Sequence, residues 1–449
     1  KNNGQLIIGD DAASRTGTLV ITEGSTLKLE SGSALRIRKN SSLKIENGAE
    51  LIIEPNVTIE LADDESMLDI GGQLILTGNN NHMTVTNQNG FIRFSFPSNG
   101  LSNITTTGTN SSIEIEGDAM TDKVVEVTSG TVYPSSLGLF KIHTGTVELA
   151  AGTGFKLENS VDFYGVKFTG SSYAYPHNGI VLTGQSNTET IAIEKCVFQF
   201  TNTAIKKEYS SDVDMLYLNE VVFNNCLVGV HTISHSANLY NTRFIDCLTG
   251  WKAEDMDNLS EFKGWCTGDG ETGIDFSGNS SSELFVYSSR FKDQDLALSM
   301  DGAGTAYIKC STFENNEVSI HSSGGSFISM GPNQTTTRLN SSTGYGSDNL
   351  FDSNTRDLEF YQAAGFDIED GNNSFVYASA PPSPAFYGSV GISSVTVDGN
   401  YWDYYSTYTT LSSYNVWNVT TLSTVGYGTP TDLTTQPSNC TNWDGTIDG

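Results

Sequence analysis

Residues 18–65 read TLVITEGS TLKLESGS ALRIRKNS SLKIENGA ELIIEPNV TIELADDE, six successive blocks of eight that stay in phase from Thr18. Apolar residues hold the second and fourth place of each block: Leu19/Ile21, Leu27/Leu29, Leu35/Ile37, Leu43/Ile45, Leu51/Ile53 and Ile59/Leu61. Mostly polar side chains separate them, the alternation of a strand with one buried face. The seventh place is Gly24, Gly32, Asn40, Gly48 or Asn56, residue types that accept a positive φ angle, so each strand should end in a tight bend. A four-residue strand with one apolar face is not stable alone and must stack on copies of itself. Three such units close a coil of about 24 residues, which sets Leu27 beneath Leu51, Leu29 beneath Ile53 and Leu35 beneath Ile59. The expected fold is a parallel β-helix; a β-sandwich would need longer strands joined by hairpin turns.

The rest of the composition agrees. The chain has 449 residues, with 45 Gly and only 10 Pro, and Ser, Thr and Asn exceed Lys, Arg and Ala, which favours strands and turns over helix. Its 52 acidic against 23 basic side chains leave a net charge of −29, which argues against a nucleic-acid partner and against polyanions in general. No apolar run reaches about 18 residues, so no membrane-spanning segment is expected. The opening KNNGQLIIGD carries no basic and apolar leader, so the signal of a secreted protein would already have been removed.

A second repeat, marked by phenylalanine, begins near Asp162: Phe198, Phe223, Phe244, Phe291 and Phe313, with Phe168 and Phe351 as looser outliers. Five residues before each marker stands an aliphatic residue (Ile193, Leu218, Leu239, Val286, Ile308), and seven after it another apolar one (Ile205, Val230, Trp251, Leu298, Ile320). Two after it come Phe200, Asn225, Asp246, Asp293 and Asn315, where stacked Asn side chains could bond the turn of the neighbouring coil. Segments such as LYLNEVVFNNCLVGVHTI (216–233) and AYIKCSTFENNEVSIHSS (306–323) resemble the repeats of right-handed parallel β-helix proteins, the architecture of pectate lyases and of many bacterial surface proteins. GNYWDYY (399–405) resembles the Asn-aromatic-Trp step that often closes such a helix, and the octads resemble the opening coils of large surface proteins exported by type IX secretion in the Bacteroidetes. The resemblance implies an all-β, right-handed parallel β-helix (solenoid) with an irregular C-terminal cap. It implies no particular activity, because the fold carries lyases, hydrolases, epimerases and inert stalks alike.

Along the chain, the helix should span residues 1–405: regular octad coils over 1–80, less regular coils over 81–160 with Thr-rich stretches such as ITTTGTNSS read as loops, Phe-centred coils over 161–360, and last coils over 361–405. Within them, Trp251 to Phe276 reads as an insertion or a degenerate coil, and Asn333 to Asn349 as an excursion. Residues 406–449 form an aromatic-rich acidic cap or linker. After Arg356 there are ten acidic side chains and no basic one.

Candidate chemistry is thin. Asp246 and Asp293 share a register that could line a groove as a hydrolase pair, but Asn225 and Asn315 occupy the same register, and turn-capping accounts for all four. Arg243, Arg290 and Lys292 bracket the marker Phe and could serve a lyase as proton acceptors, or simply be solvated. Acidic groups at Glu254, Asp255, Asp257, Asp269, Glu271 and Asp275, and at the corner Asp63, Asp64 and Glu65, could hold calcium if their oxygens converge. The terminal CTNWDGTID sets Asn442, Asp444, Gly445 and Asp448 as in half an EF-hand-like loop, with Cys440 in place of the first Asp. Of six histidines (His82, His143, His177, His231, His235, His321) only His231 and His235 are close, and on a strand they would stand about 13 Å apart, too far for one metal. Six cysteines (Cys196, Cys226, Cys247, Cys266, Cys310, Cys440) show no CxxC spacing. Cys226 and Cys247 share a register, as two buried small hydrophobes or as one disulfide.

The functional expectation is an extracellular or bacterial cell-surface protein without catalytic residues or metal site, a stalk or adhesin whose partners are surface glycans or other cell-surface proteins. No cofactor is expected, calcium being the one ion the acidic turns could take. The enzyme alternative is a polysaccharide lyase or glycoside hydrolase working along the Phe-centred coils. A further alternative is carbohydrate binding without turnover through Trp402 and Trp417 in the aromatic-rich end.

Overall fold

The computed structural model describes residues 4–10, 16–62, 65–87, 90–98, 101–170, 178–183, 191–208, 215–331, 348–361, 365–368, 373–376, 386–388, 401–402 and 416–417. The regular elements of these residues are all strands, and they pair in parallel between successive coils: a parallel β-solenoid. The chain divides into two compact units, Lys1–Val230 and His231–Gly449.

In the first unit the octads pair as their spacing requires. Leu19 lies beside Leu43, Leu27 beside Leu51, Leu29 beside Ile53 and Leu35 beside Ile59. Gly24, Gly32, Asn40, Gly48 and Asn56 take φ of 75°, 74°, 54°, 79° and 64°, so the seventh place is the left-handed corner. Leu35, Leu43, Ile45, Leu51, Ile53 and Ile59 are fully buried, each worth about 1.5–3 kcal/mol of apolar burial. The three columns continue past the clear octads, with Ile59 beside Val85, Leu68 beside Ile92 and Leu74 beside Ile104. The stretch ITTTGTNSS is therefore not simply a loop: Ile104–Thr106 is a strand. Ile104 is fully buried, and the threonines that disguise the strand bond the backbone, Thr106 Oγ1 donating to the Gly108 carbonyl at 2.8 Å.

The marker phenylalanines stack as rings on rings. In the first unit Phe168, Phe198 and Phe223 stand 4.7 and 5.2 Å apart, and in the second Phe291, Phe313, Phe351 and Phe375 stand 5.0, 4.9 and 4.8 Å apart. Phe168 and Phe351 are thus full members of the row. The segment Trp251 to Phe276 is a coil of the solenoid rather than a loop: within Leu259–Gly278, Cys266 takes the marker position between Phe244 and Phe291, and the pairing shifts register between Ala253 and Met256 and between Thr267 and Gly270. Of the Asn333 to Asn349 excursion, residues 333–347 lie outside the described residues.

The short strand carrying each Phe is bounded by two left-handed bends. Three residues before the marker, Lys195, Glu220, Asn241, Ser288, Cys310 and Asp348 have φ of 48–56°. Two after it, Phe200, Asn225, Asp246, Asp293, Asn315 and Ser353 have φ of 49–57°. The register of Asp246 and Asp293 is thereby a backbone bend. The stacked amides come one residue later than the sequence reading put them: Asn316 N and Nδ2 both donate to Asn354 Oδ1, at 2.9 and 3.0 Å, and Gln294 N donates to Asn316 Oδ1 at 3.1 Å. At the opposite bend Asn349 and Asn373 form the matching ladder, with Asn349 Nδ2 on Asn373 Oδ1 at 2.9 Å. The residue after each bend is buried, and where it is Gln294, Asn316, Asn349 or Asn354 its amide meets backbone groups that a bare turn would leave unpaired.

Candidate functional site

Outward positions on the stacked strands Thr249–Met256, Leu259–Gly278, Arg290–Gly302, Val318–Ser322 and Arg356–Phe360 form a titratable strip of the second unit. Their inward neighbours (Trp251, Ile274, Leu298, Ile320, Leu358) are fully buried, which leaves Lys252, Asp275, Ser299, His321 and Glu359 as one outward row, each beside the next. His231 Nε2 lies 2.8 Å from Glu254 Oε2, and Lys252 also bonds that carboxylate. The hydrogen bond from Lys252, then that from His231 and both charges, holds Glu254 below the usual carboxylate range. Asp275 moves the other way: burial raises it, against the opposing charge of Lys252 and a hydrogen bond with Ser299. At the far end burial alone would raise Glu359, but His321 Nδ1 at 3.0 Å, the Tyr361 hydroxyl at 3.0 Å and Arg356 at 2.7 Å bring it below the ordinary value.

The other sequence candidates are engaged structurally. Asp246 takes its bend with its carboxylate packed on Gly268, where a Cβ would meet Oδ1 at 2.0 Å. Asp293 is an exposed bend residue. Arg243 lies across the Trp265 indole, 4.3 Å from its centroid, a cation–π contact whose burial lowers the guanidinium pKa. Arg290 and Lys292 both bond Glu314, whose carboxyl, despite burial, they hold below its usual range. Asp255 is another left-handed residue, at φ 53°. Among the described residues no three His, Cys, Asp or Glu side chains are placed to hold a metal. Glu65 occupies a bend at φ 60°, while Asp63, Asp64, Asn442, Asp444, Gly445 and Asp448 lie outside the described residues. His235 is buried, whereas His231 is engaged with Glu254. Cys226 and Cys247 are buried thiols outside any disulfide, as are Cys196 and Cys266, and Cys310 is disulfide-bonded.

Trp402 stands beside Phe375, in the row of strand positions that holds Phe313 and Phe351. Trp417 stands beside Tyr387, in the row of His321 and Glu359. The structure thus places the two tryptophans in different rows. The Lys252–Asp275–His321 row went unread in the sequence because Cys266 broke the Phe register of its coil. Strand alternation outward from Ile274 would have found it.

No helix among the described residues is long and apolar enough to cross a membrane. Comparison with protein-family models, with curated proteins and with solved structures finds no match, so the solenoid assignment rests on the register itself.

Proposed function

We propose that this protein is an extracellular or bacterial cell-surface β-solenoid without enzymatic activity, a stalk or adhesive surface whose partners are surface glycans or other cell-surface proteins. The resemblance of its repeats to pectate-lyase-like helices and to type IX-exported surface proteins motivates the location. A disulfide at Cys310 suits an oxidising compartment. The observation that carries the non-catalytic reading is the employment of the candidate residues: Asp246 and Asp293 make bends, Arg290 and Lys292 neutralise Glu314, and Arg243 covers Trp265. The test is a turnover screen of the purified chain on neutral and uronic-acid polysaccharides. No released product is expected. Product formation lost in Asp246→Asn or Arg243→Ala would overturn the reading.

One observation favours the enzyme reading, a glycoside hydrolase rather than a lyase. Glu254 and Asp275 stand on adjacent coils with their carboxyl pKa values pushed in opposite directions, the division expected of a base and an acid. It predicts hydrolysis lost in both Asp275→Asn and Glu254→Gln. Carbohydrate binding without turnover is checked on a glycan array, where Trp402→Ala and Trp417→Ala should each remove the signal.

A further inference from the structure

A second outward face of the same unit carries a different chemistry from the titratable strip. It is built from residues 237–240, 259–263, 283–287, 305–309 and 327–329, strand segments in parallel register. Leu239, Phe262, Val286 and Ile308 are buried inward on successive coils, as is Ile328 on the next, so strand alternation turns Tyr240, Phe285, Tyr287, Tyr307 and Phe327 outward. Asn238, Glu261, Phe285, Tyr307 and Ser329 follow one another coil to coil as one row. To one side Tyr240 lies beside Lys263 and Tyr287 beside Lys309; to the other, Glu283, Thr305 and Phe327 stand in line.

The rings are fixed before anything binds. Tyr307 stacks on Phe285 with centroids 4.7 Å apart, and Phe285, although outward, is only 3 % exposed. The Tyr307 hydroxyl donates to Glu283 Oε1 at 3.4 Å, and the Tyr240 hydroxyl donates to Glu261. Burial raises the pKa of both phenols, and the neighbouring carboxylates raise them further, so both stay neutral. Phe327 is the open end of the face, 39 % exposed. Aromatic rings gathered on one exposed face mark a contact surface, and rings held by their neighbours lose little freedom when a ligand covers them.

Charge narrows the occupant. Glu261 and Glu283 are offset by Lys263 and Lys309, and no other charged side chain stands on these five segments. The face is therefore locally neutral, on a chain of net charge −29. That sum repels a polyanion, an acidic peptide or a second copy of this chain, and the local balance offers a basic partner no concentrated counter-charge. A neutral sugar chain meets neither obstacle. The C–H faces of its rings pack on the aromatic side chains, while its hydroxyls find acceptors at Glu261 and Glu283 and donors at Lys263 and Lys309. The aromatic positions recur from coil to coil, which suits a ligand that itself repeats.

We propose, resting on the reading of surface glycans as partners, that the face bearing Tyr240, Phe285, Tyr287, Tyr307 and Phe327 is the binding surface for a neutral polysaccharide. Full-length protein is applied at low and high salt to an array of immobilised oligosaccharides of glucose, mannose, xylose and galacturonic acid. The wild type should bind neutral members and keep that binding at high salt, since no charge pairing is there to be screened. Tyr307→Ala and Phe327→Ser should each weaken it roughly two- to tenfold, the effect of one aromatic contact, while Tyr307→Phe, which keeps the ring, should bind like wild type. Neutral binding that persists at full strength when Tyr307→Ala and Phe327→Ser are combined, but is lost in Trp402→Ala, overturns the site and leaves the glycan reading standing. A wild type that binds no sugar on the array overturns both. Binding confined to galacturonic acid oligomers and weakened by salt overturns the neutral class. Self-association in sedimentation that is abolished by Phe327→Ser gives the face to a second copy and overturns the proposal.

Discussion

At the residue scale, the costs of this fold sit at its bends. Asn, Asp and Gly accept a left-handed φ readily, but Lys195, Phe200 and Glu220 do not, and each pays about 1 kcal/mol for the corner it makes. Glu220→Asn should therefore raise stability by about 1 kcal/mol in chemical denaturation, with the pairing of Phe198 and Phe223 unchanged. The inner ladder works in the opposite sense. Asn354 accepts from Asn316 and donates to the Phe313 carbonyl at 2.9 Å, fully enclosed, so Asn354→Ala should cost about 3 kcal/mol, where Asn315→Ala, at an exposed bend, should cost far less. Asp275 is a residue whose charge the fold opposes. Its folded pKa lies above its ordinary 3.8, so the stability tied to its proton is complete below that value and is lost as pH rises through the folded value. Asp275→Asn should accordingly raise Tm at pH 7 and leave it nearly unchanged near pH 3; a lowered Tm at pH 7 would show that its bond with Ser299 matters more than its burial.

At the scale of the element, the repeating unit is a short Phe strand between two bends, and its stability comes from stacking between coils. Phe291 is fully buried with Phe313 parallel to it at 5.0 Å, and Phe291→Ala should cost about 3–5 kcal/mol by the loss of core volume, measured by urea unfolding. Much of this element was legible beforehand. Leu19, Leu27 and Leu35 announce their partners because nothing interrupts the eight-residue phase, and the bend types follow from Gly24 and Asn40. The coil through Cys266 was not legible, because Cys and Phe fill one inward position equally well when Phe262 and Phe291, 5.8 Å apart, close over the gap. Nor was the position of the amide ladder, since Asn315 and Asn316 are adjacent and only the sign of φ tells the bend from the inward residue. The candidate strip suffered from the same ambiguity: Asp275 could be read as a calcium ligand in a loop until its coil was known to be strand.

At the scale of the whole molecule, charge is sorted rather than spread. The net −29 describes the sum, yet Glu254, Glu314 and Glu359 each sit among cations that hold them below the ordinary glutamate value of 4.5. Groups with lowered folded pKa contribute stability that is present above the unfolded value and lost as pH falls through the folded one. Thermal stability should hold between pH 5 and 7 and fall below about pH 4, and Glu359→Gln should flatten that fall; an unchanged slope would show that other carboxylates govern acid unfolding.

The spacing of the contacts has a further consequence. Thr18 pairs with Ser42, Thr26 with Glu50 and Arg290 with Thr312, so a strand's partner is one coil away in sequence wherever in the chain it lies. Between Asn316 and Asn354 the sequence separation is 38 residues, and the ladder keeps its bonds. Closing a loop costs little more when it lengthens, and the next coil meets the same edge however many precede it. Coil number is thus a quantity that duplication can change at nearly constant folding cost per coil, and detours can be inserted between coils without disturbing register. What such a lineage has to preserve is the pair of left-handed bends and the inward residue that follows each.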